Sequence, residues 1–197
     1  MQTKNPLENL KGVDLSHLSK AEAKEFTLLL EELEKREKRE SSMASFYDFV
    51  KTIWPEFIAG AHHKKMAEAF DKIANGESKR LIINMPPRHT KSEFASYLFP
   101  AYLLGKRPKL KIIEATHTAD LAINFGRRVR DLIESDDYAE IFPATQLKAD
   151  SRSAGKWTTS QGGEYYAAGI GGALAGRGAD LFIIDDPHSE QDAFSDK

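Results

Sequence analysis

The chain of 197 residues contains no cysteine, which excludes disulfide bonds and thiolate metal sites. Long hydrophobic runs are also missing, since the longest, such as Leu28 to Leu30 and Leu181 to Ile184, fall far short of the roughly 20 residues of a membrane helix. The net charge is only −2, so no general positive field draws the chain onto nucleic acid. Any contact with DNA would therefore be local. These absences predict a cytosolic protein without membrane contact.

Composition and hydrophobic spacing divide the chain into three parts. Residues 1–45 are predicted to form a polar arm and a charged helix, which begins at Ser19 because Ser19 and Glu22 match a capping box. A break is expected at Ser41, Ser42 and Ser45. Residues 46–79 carry apolar side chains at helical spacing and predict a helical lead-in. Residues 80–197 form the predicted core domain.

Strands and helices are predicted to alternate along this core domain. A β-type apolar run begins at Arg80, and it is followed by further segments of helical or strand period: helix Ser92 to Leu104, strand Lys111 to Ala115, helix Thr118 to Ser135 with Leu121, Phe125, Val129 and Leu132 inward, strand Glu164 to Ile170, and buried strand Leu181 to Ile184. Such alternation predicts an α/β fold with a mostly parallel sheet, preceded by N-terminal helices.

The segment RLIINMPPRHTKSE, residues 80–93, has the arrangement of a phosphate-binding loop. Such a loop needs backbone N–H groups around the anion, a lysine for the β- and γ-phosphates, and a hydroxyl for Mg²⁺. Lys91 and Ser92 supply the last two. Met85 and Thr90 stand where the usual pattern has glycine, so the segment alone does not establish the site.

A second segment, LFIIDD, places two carboxylates at the end of an apolar strand. Ligands of open α/β sheets bind at the carboxyl ends of strands. Asp185 is there to hold Mg²⁺, which leaves Asp186 for another role such as polarising a water molecule. The alternative is an ordinary strand that ends in two solvated aspartates. The order of this segment after Lys91 favours the first interpretation.

Arginine and histidine offer further candidates. Arg177, in the glycine-rich stretch 169–179, is either an arginine finger that contacts phosphoryl oxygens or a residue paired with an acid. Arg88 lies inside the phosphate loop and is favoured for the same chemistry. The helix after residue 118 carries three arginines away from its apolar face, which we interpret as a solvated surface and not as contacts to DNA phosphates: Arg127, Arg128 and Arg130. The histidines are scattered, neighbours His62 and His63 point in different directions on a helix, and no structural metal is predicted.

Taken together in this order, the segments HHKKMAEAF, KRLIINMPPRHTKSEFAS, FPAYLLGKRP and GGEYYAAGIGGALAGRGADLFIIDDPH resemble the large terminase subunit of tailed bacteriophages and prophages. The resemblance runs from about Phe46 to the last residue. It implies a P-loop ATPase of the additional-strand class that couples ATP hydrolysis, with Mg²⁺, to translocation of double-stranded DNA into a procapsid. It also implies a homo-oligomeric ring on the portal protein, a small terminase subunit as partner, and the cytoplasm of the bacterial host.

The resemblance assigns roles by position. It implies that the nucleotide is bound by Pro87, Arg88, His89, Thr90, Lys91 and Ser92. It implies that Ser92 and Asp185 bind Mg²⁺, and that Asp186 and Arg88 take part in catalysis. Arg177 matches an arginine that acts on the nucleotide of a neighbouring subunit.

Two departures from the family pattern affect these expectations. The family loop usually reads PPRHGKS, so Thr90 would be strained if its φ angle is positive. Such strain bears more on the rate of ATP hydrolysis than on the resemblance to the family. The coupling motif and nuclease domain of the family are not found after Lys197, and a strand implied between the loop strand and the Asp185 strand is missing. An incomplete sheet, in a fragment or truncated product, is therefore expected. The alternatives are a catalytically impaired prophage relic and another nucleic-acid-dependent ATPase.

Overall fold

The computed structural model of the protein contains a mixed five-stranded sheet, with helices before and between its strands. It describes residues 13, 16–172, 174 and 176–188, without the side chain of Arg152. The predicted N-terminal arm lies largely outside these residues. The helices are α1 Lys20–Ala44, α2 Phe46–Ile53, α3 Ala61–Ala74, a π-helix Glu93–Leu98, α4 Phe99–Lys106, α5 Ala119–Ile133 and α6 Asp136–Ile141. The strands are β1 Lys111–Thr116, β2 Leu147–Arg152, β3 Lys156–Thr159, β4 Glu164–Gly169 and β5 Leu181–Asp185.

Helix α1 begins as predicted but ends later. Its capping box is present, because the Ser19 N–H donates to Glu22 Oε2 at 2.8 Å and the Glu22 N–H donates to Ser19 Oγ at 3.3 Å. Of the three serines expected to mark the break, Ser45 does so, whereas Ser41 and Ser42 lie inside the helix. Ser42 Oγ donates to the Lys38 carbonyl at 2.7 Å, so its hydroxyl is satisfied inside the helix and does not interrupt it. The break comes at Ser45, which caps α2.

An aromatic cluster joins the lead-in helices to the helix that follows the predicted phosphate loop. The Phe46 ring of α2 lies 5.2 Å from Phe70 of α3, and 5.5 Å from both Phe94 and Phe99. Aromatic pairs at such distances stabilise a fold by about 0.5–1.5 kcal/mol each beyond the burial of their area. The cluster fixes α3 beside residues 90–99, which brings the first turn of α3 close to the loop.

The sheet has the strand order β2-β3-β4-β1-β5. Strand β1 is parallel to both β4 and β5, so the carboxyl ends Thr116, Gly169 and Asp185 share one edge. Strand β3 is antiparallel to β2 and to β4. The sheet is therefore mixed, and the expectation of a mostly parallel sheet is wrong. The antiparallel pair β2 and β3 was not predicted, because the polar run LKADSR and the short KWTT show no clear period of two.

The predicted strand after Arg80 is also wrong, since residues 80–86 form no strand. Ile82 is 85% exposed, and a cleft of about 420 Å³ separates residues 79–83 from β5. Among the described residues, β5 pairs only with β1, and its side chains Phe182 and Ile184 are 51% and 55% exposed. The prediction that this strand is buried is therefore wrong. Within the part of the chain that is described, no helix combines the length and hydrophobicity needed to span a membrane.

Candidate phosphate-binding site

The loop between residue 85 and the following helix surrounds a cavity of about 350 Å³. Its wall contains every residue that was assigned to the nucleotide, residues 87–92, together with Asp186. The lining residues are Met85, Pro86, Pro87, Arg88, His89, Thr90, Lys91, Ser92, Glu93 and Asp186. The fold thus brings LFIIDD next to RLIINMPPRHTKSE, although 95 positions separate Lys91 from Asp186 along the chain.

The loop backbone is left-handed at two positions. Arg88 has φ 64° and Thr90 has φ 60°, and both angles lie in the region that disfavours residues other than glycine. A β-branched residue there costs on the order of 1–3 kcal/mol. Turns that alternate between left- and right-handed residues can aim successive N–H groups at an anion. The positive φ anticipated for Thr90 is therefore present, and the loop has a conformation that suits phosphate.

A helical stretch begins at Lys91 directly after this loop and continues to Lys106. The Phe94 N–H donates to the Thr90 carbonyl at 3.0 Å, which closes the first turn. Helix N-termini attract anions through their unpaired N–H groups and the helix dipole. Residues 93–98 are π-helical, a form that occurs mostly as short bulges near functional sites.

The side chain of Lys91 lies between two carboxylates. Its Nζ is 3.3 Å from Asp185 Oδ1 and donates a short hydrogen bond to Asp186 Oδ1. Burial alone would lower the pKa of Lys91, but the hydrogen bond with Asp186 and the charges of both aspartates outweigh it and raise this pKa. Lys91 is therefore a fixed cation at neutral pH.

The two aspartates have different surroundings. Asp185 is only 5% exposed, and its Oδ2 accepts a hydrogen bond from Ser96 Oγ at 3.0 Å. Asp186 has a side chain that is 67% exposed, and its backbone has φ 43°. The sequence did not single out Ser96, although it lies one helical turn after Ser92. Asp185 is thus a held carboxylate, whereas Asp186 faces the loop cavity.

Beneath this pair lies a second acid that the sequence analysis missed. Glu114 on β1 is 0% exposed, and neither of its carboxyl oxygens has a hydrogen-bond partner among the described residues. Burial raises the pKa of Glu114 well above its ordinary value, and the negative charge of Asp185 raises it further. The signal in the sequence was a single acid within the apolar run KIIEAT. Folding therefore favours the protonated form of Glu114.

Arg177 lies at the opposite end of the sheet from Lys91. It is 3.7 Å from Glu164 and stacks on the Tyr166 ring at 3.8 Å, and Glu164 pairs with Lys111 at the start of β1. The fold therefore does not bring Arg177 to the phosphate loop of its own chain. It makes the acid pair that the sequence analysis left open as the alternative.

The arginines of α5 divide between two environments. Arg128 makes two hydrogen bonds to the Glu93 carboxylate, at 2.9 and 2.5 Å, and stacks on the Tyr97 ring at 4.1 Å. Arg130 pairs with Asp131 at 2.7 Å, and Arg127 is exposed. Pairing with Asp131 agrees with the expectation of a solvated face, but Arg128 instead fixes α5 to the first turn after the loop.

Three histidines lie beside the loop. The structure thereby corrects the expectations that His62 and His63 point in different directions and that His89 lies apart from them. The rings of His62 and His63 lie 3.8 Å apart, and His89 lies 5.8 Å from His62. His63 Nε2 is 2.6 Å from Thr90 Oγ1. Burial, with smaller effects of His62 and His89, lowers the pKa of His63, so its imidazole is neutral at pH 7. No group of three metal-ligating side chains occurs within the described ranges.

Comparison with known proteins identified no relative of the chain. No family model, curated protein or solved structure matches the chain. Ser92, which lines the loop cavity, and Asp185, which contacts Lys91, carry oxygen atoms of the kind that Mg²⁺ prefers, and Lys91 is a cation that could pair with phosphate.

Proposed function

We propose that the chain binds Mg²⁺ and ATP at residues 87–92 and hydrolyses the nucleotide. The observation that carries the proposal is the position of Lys91, which follows a left-handed loop and contacts both aspartates at the end of β5. A cation between an anion-binding loop and a carboxylate pair is the arrangement on which P-loop ATPases rely. The α/β fold with these groups at the carboxyl edge of its sheet supports the proposal as well.

Each side chain has a distinct role in this proposal. The loop N–H groups and Lys91 bind the β- and γ-phosphates, and Arg88 contacts the γ-phosphate. Ser92 and Asp185 hold Mg²⁺, which when bound supplies positive charge against the developing charge on the phosphates. Asp186 orients the attacking water and accepts its proton. A bound phosphate competes with Asp186 for Lys91, so nucleotide binding frees the Asp186 carboxylate for this task.

We further propose that this ATPase serves a viral DNA-packaging motor of the large terminase type. The ordered segments that resemble that family include the loop and the aspartates that meet in the fold. Arg177 pairs with Glu164 in its own chain, so a role on the nucleotide of a neighbour would require it to exchange this pair for phosphoryl oxygens. Portal protein and a small terminase subunit are the proposed partners, and the cytoplasm of the bacterial host is the proposed location.

Phosphate release from ATP tests the enzymatic part of this proposal. The wild-type chain should release phosphate in a Mg²⁺-dependent way, and Lys91→Ala should lower the rate at least about 100-fold, because the lysine contacts the transferred group. Lys64→Ala, at an exposed position of α3, is the matched control and should leave the rate unchanged. Equal rates for wild type and Lys91→Ala would contradict the assignment. Stimulation by portal protein, and not by single-stranded nucleic acid, would separate a packaging motor from a helicase-like ATPase.

A nucleotide-binding relic without turnover is the second candidate. Thr90 favours it, because a threonine at φ 60° replaces the glycine that such loops usually carry. Tight binding of ATP with no phosphate release, in a chain that folds well, would support it. Thr90→Gly would then restore turnover if the threonine is the cause.

A further inference from the structure

The strained residue of the phosphate loop is held by a chain of hydrogen bonds that starts in another element. The Gly60 N–H donates to His63 Nδ1 at 2.8 Å, which leaves the proton of the neutral imidazole on Nε2. That N–H then donates to Thr90 Oγ1 at 2.6 Å. The Thr90 hydroxyl in turn donates to the His89 carbonyl at 2.6 Å. Every donor in this chain has an acceptor, so its direction is fixed.

His63 is itself firmly placed. It lies on the first turn of α3 and is 6% exposed, and its ring packs on Phe57 at 4.7 Å and on Phe94 at 5.5 Å. A Cβ at Gly60 would lie 2.8 Å from the His62 ring but 3.4 Å from His63 Nδ1, so a larger residue there would displace mainly the exposed His62 side chain. The imidazole therefore sits between α3 and the helix that follows the loop, and it cannot shift without moving one of them.

We propose that His63 is a positioning residue that holds the phosphate loop in its binding conformation through the Thr90 hydroxyl. The proposal rests on the proposed nucleotide function of the loop. It explains how a β-branched residue is kept at a left-handed position: the hydroxyl is held from outside the loop and from within it, so the conformation does not depend on glycine. His63 and Thr90 thus act as a pair.

A double-mutant cycle on the affinity for a fluorescent ATP analogue tests this pairing. His63→Ala should weaken binding about tenfold while Thr90 is present. In a Thr90→Gly background, which needs no support at a positive φ, the same substitution should change affinity less than twofold. Thr90→Ser keeps the hydroxyl and should keep the tenfold effect. His62→Ala, an adjacent histidine outside the hydrogen-bond chain, is the matched control and should bind like the wild type.

Equal effects of His63→Ala in the wild-type and Thr90→Gly backgrounds would overturn the proposal, and so would an equal loss in His62→Ala. Urea unfolding of each variant distinguishes lost positioning from lost folding. If His63→Ala does not fold, His63→Gln, whose amide can donate to the same hydroxyl, serves in its place and should retain most of the affinity.

A readout without nucleotide separates this proposal from the function it rests on. Amide hydrogen exchange of residues 87–92 should be at least about fivefold faster in His63→Ala than in wild type, with no such change in His62→Ala. Unchanged exchange would overturn the positioning role. If His63→Ala speeds amide exchange but the wild-type chain binds no ATP analogue, the nucleotide function is overturned and the positioning role stands.

Discussion

At the scale of single residues, Lys91 is the group at which the two halves of the site meet. It borders both the loop cavity and the cleft beside β5, and its ammonium contacts one buried and one exposed carboxylate. Because the pKa of Lys91 is raised, it stays charged through the physiological pH range. The two aspartates it contacts are distinguished by burial, which is the physical basis for giving them different roles.

Asp186→Asn should lower phosphate release about 10²–10³-fold without weakening ATP binding, because general-base groups contribute in that range and the amide no longer holds Lys91 as an ion pair. Rates of phosphate release and equilibrium dialysis with ATP measure the two effects. An Asp186→Asn variant that turns over like wild type would remove Asp186 from the mechanism.

Glu114→Gln should make the protein more stable at high pH and leave its stability nearly unchanged at low pH. The pKa of Glu114 is raised by burial and by Asp185, so folding favours the protonated form. Wild-type stability is full below the pKa of the unfolded chain and falls as the pH rises towards the folded pKa. Glutamine cannot ionise and avoids this loss.

Urea unfolding of wild type and Glu114→Gln at several pH values measures the difference, which should widen as the pH increases. A constant difference across the range would show that Glu114 does not titrate between the folded and unfolded states. Glu140→Gln, at an exposed acid on α6, is the control and should show no such widening.

At the scale of elements, strand β5 exposes one edge and two large apolar side chains, Phe182 and Ile184. Exposed apolar edge strands promote association between chains. Phe182→Thr with Ile184→Thr should therefore reduce self-association, measured by light scattering, while β-branched threonine keeps the strand. Ile183→Thr, at a side chain that is 9% exposed, should lower stability instead. Equal association of wild type and the double variant would show that this edge is not responsible.

Much of the secondary structure could be predicted from the sequence, for reasons visible at particular residues. The start of α1 was predicted because Ser19 and Glu22 match a capping box, and α5 was predicted from its apolar spacing, with Thr118 as its cap in the structure. Strand β1 was predicted from its short apolar run. Leu121 was assigned to the core of α5 but is 40% exposed, since it lies on the first turn, beyond the sheet.

The site was predicted in part. The meeting of Lys91 with Asp185 and Asp186 was predicted from the order of the two segments, although residues 80–86 before the loop form no strand. The contacts of His63 with Thr90, and of Ser96 with Asp185, could not be predicted, because they depend on how α3 and the π-helix pack and not on any local pattern. The prediction of a strand after Arg80 was wrong, because a strand needs a neighbouring strand to pair with, and an apolar sequence alone does not provide one.

At the scale of the whole molecule, the packed part of the structure begins late in α1. No side chain from Lys20 to Leu33 is buried, whereas Ser42 is 0% exposed and hydrogen-bonds Thr52 of α2 at 2.8 Å. Replacement of Leu28, Leu29 and Leu33, which are 55%, 53% and 41% exposed, by glutamine should therefore shift the melting temperature by less than about 3 °C, because few buried contacts are lost. A fall of about 10 °C or more would show that the early turns of α1 are structural.

The central claim is that the loop before Lys91 binds the phosphates of ATP, and calorimetric titration with Mg²⁺ and ATP tests it most directly. The account predicts saturable binding of about one nucleotide per chain. Binding should weaken at least about 100-fold in Lys91→Ala, which corresponds to a loss of about 2.7 kcal/mol, and should be unchanged in Lys64→Ala. Binding that survives Lys91→Ala unchanged, or a folded wild-type chain that binds no ATP, would contradict the account.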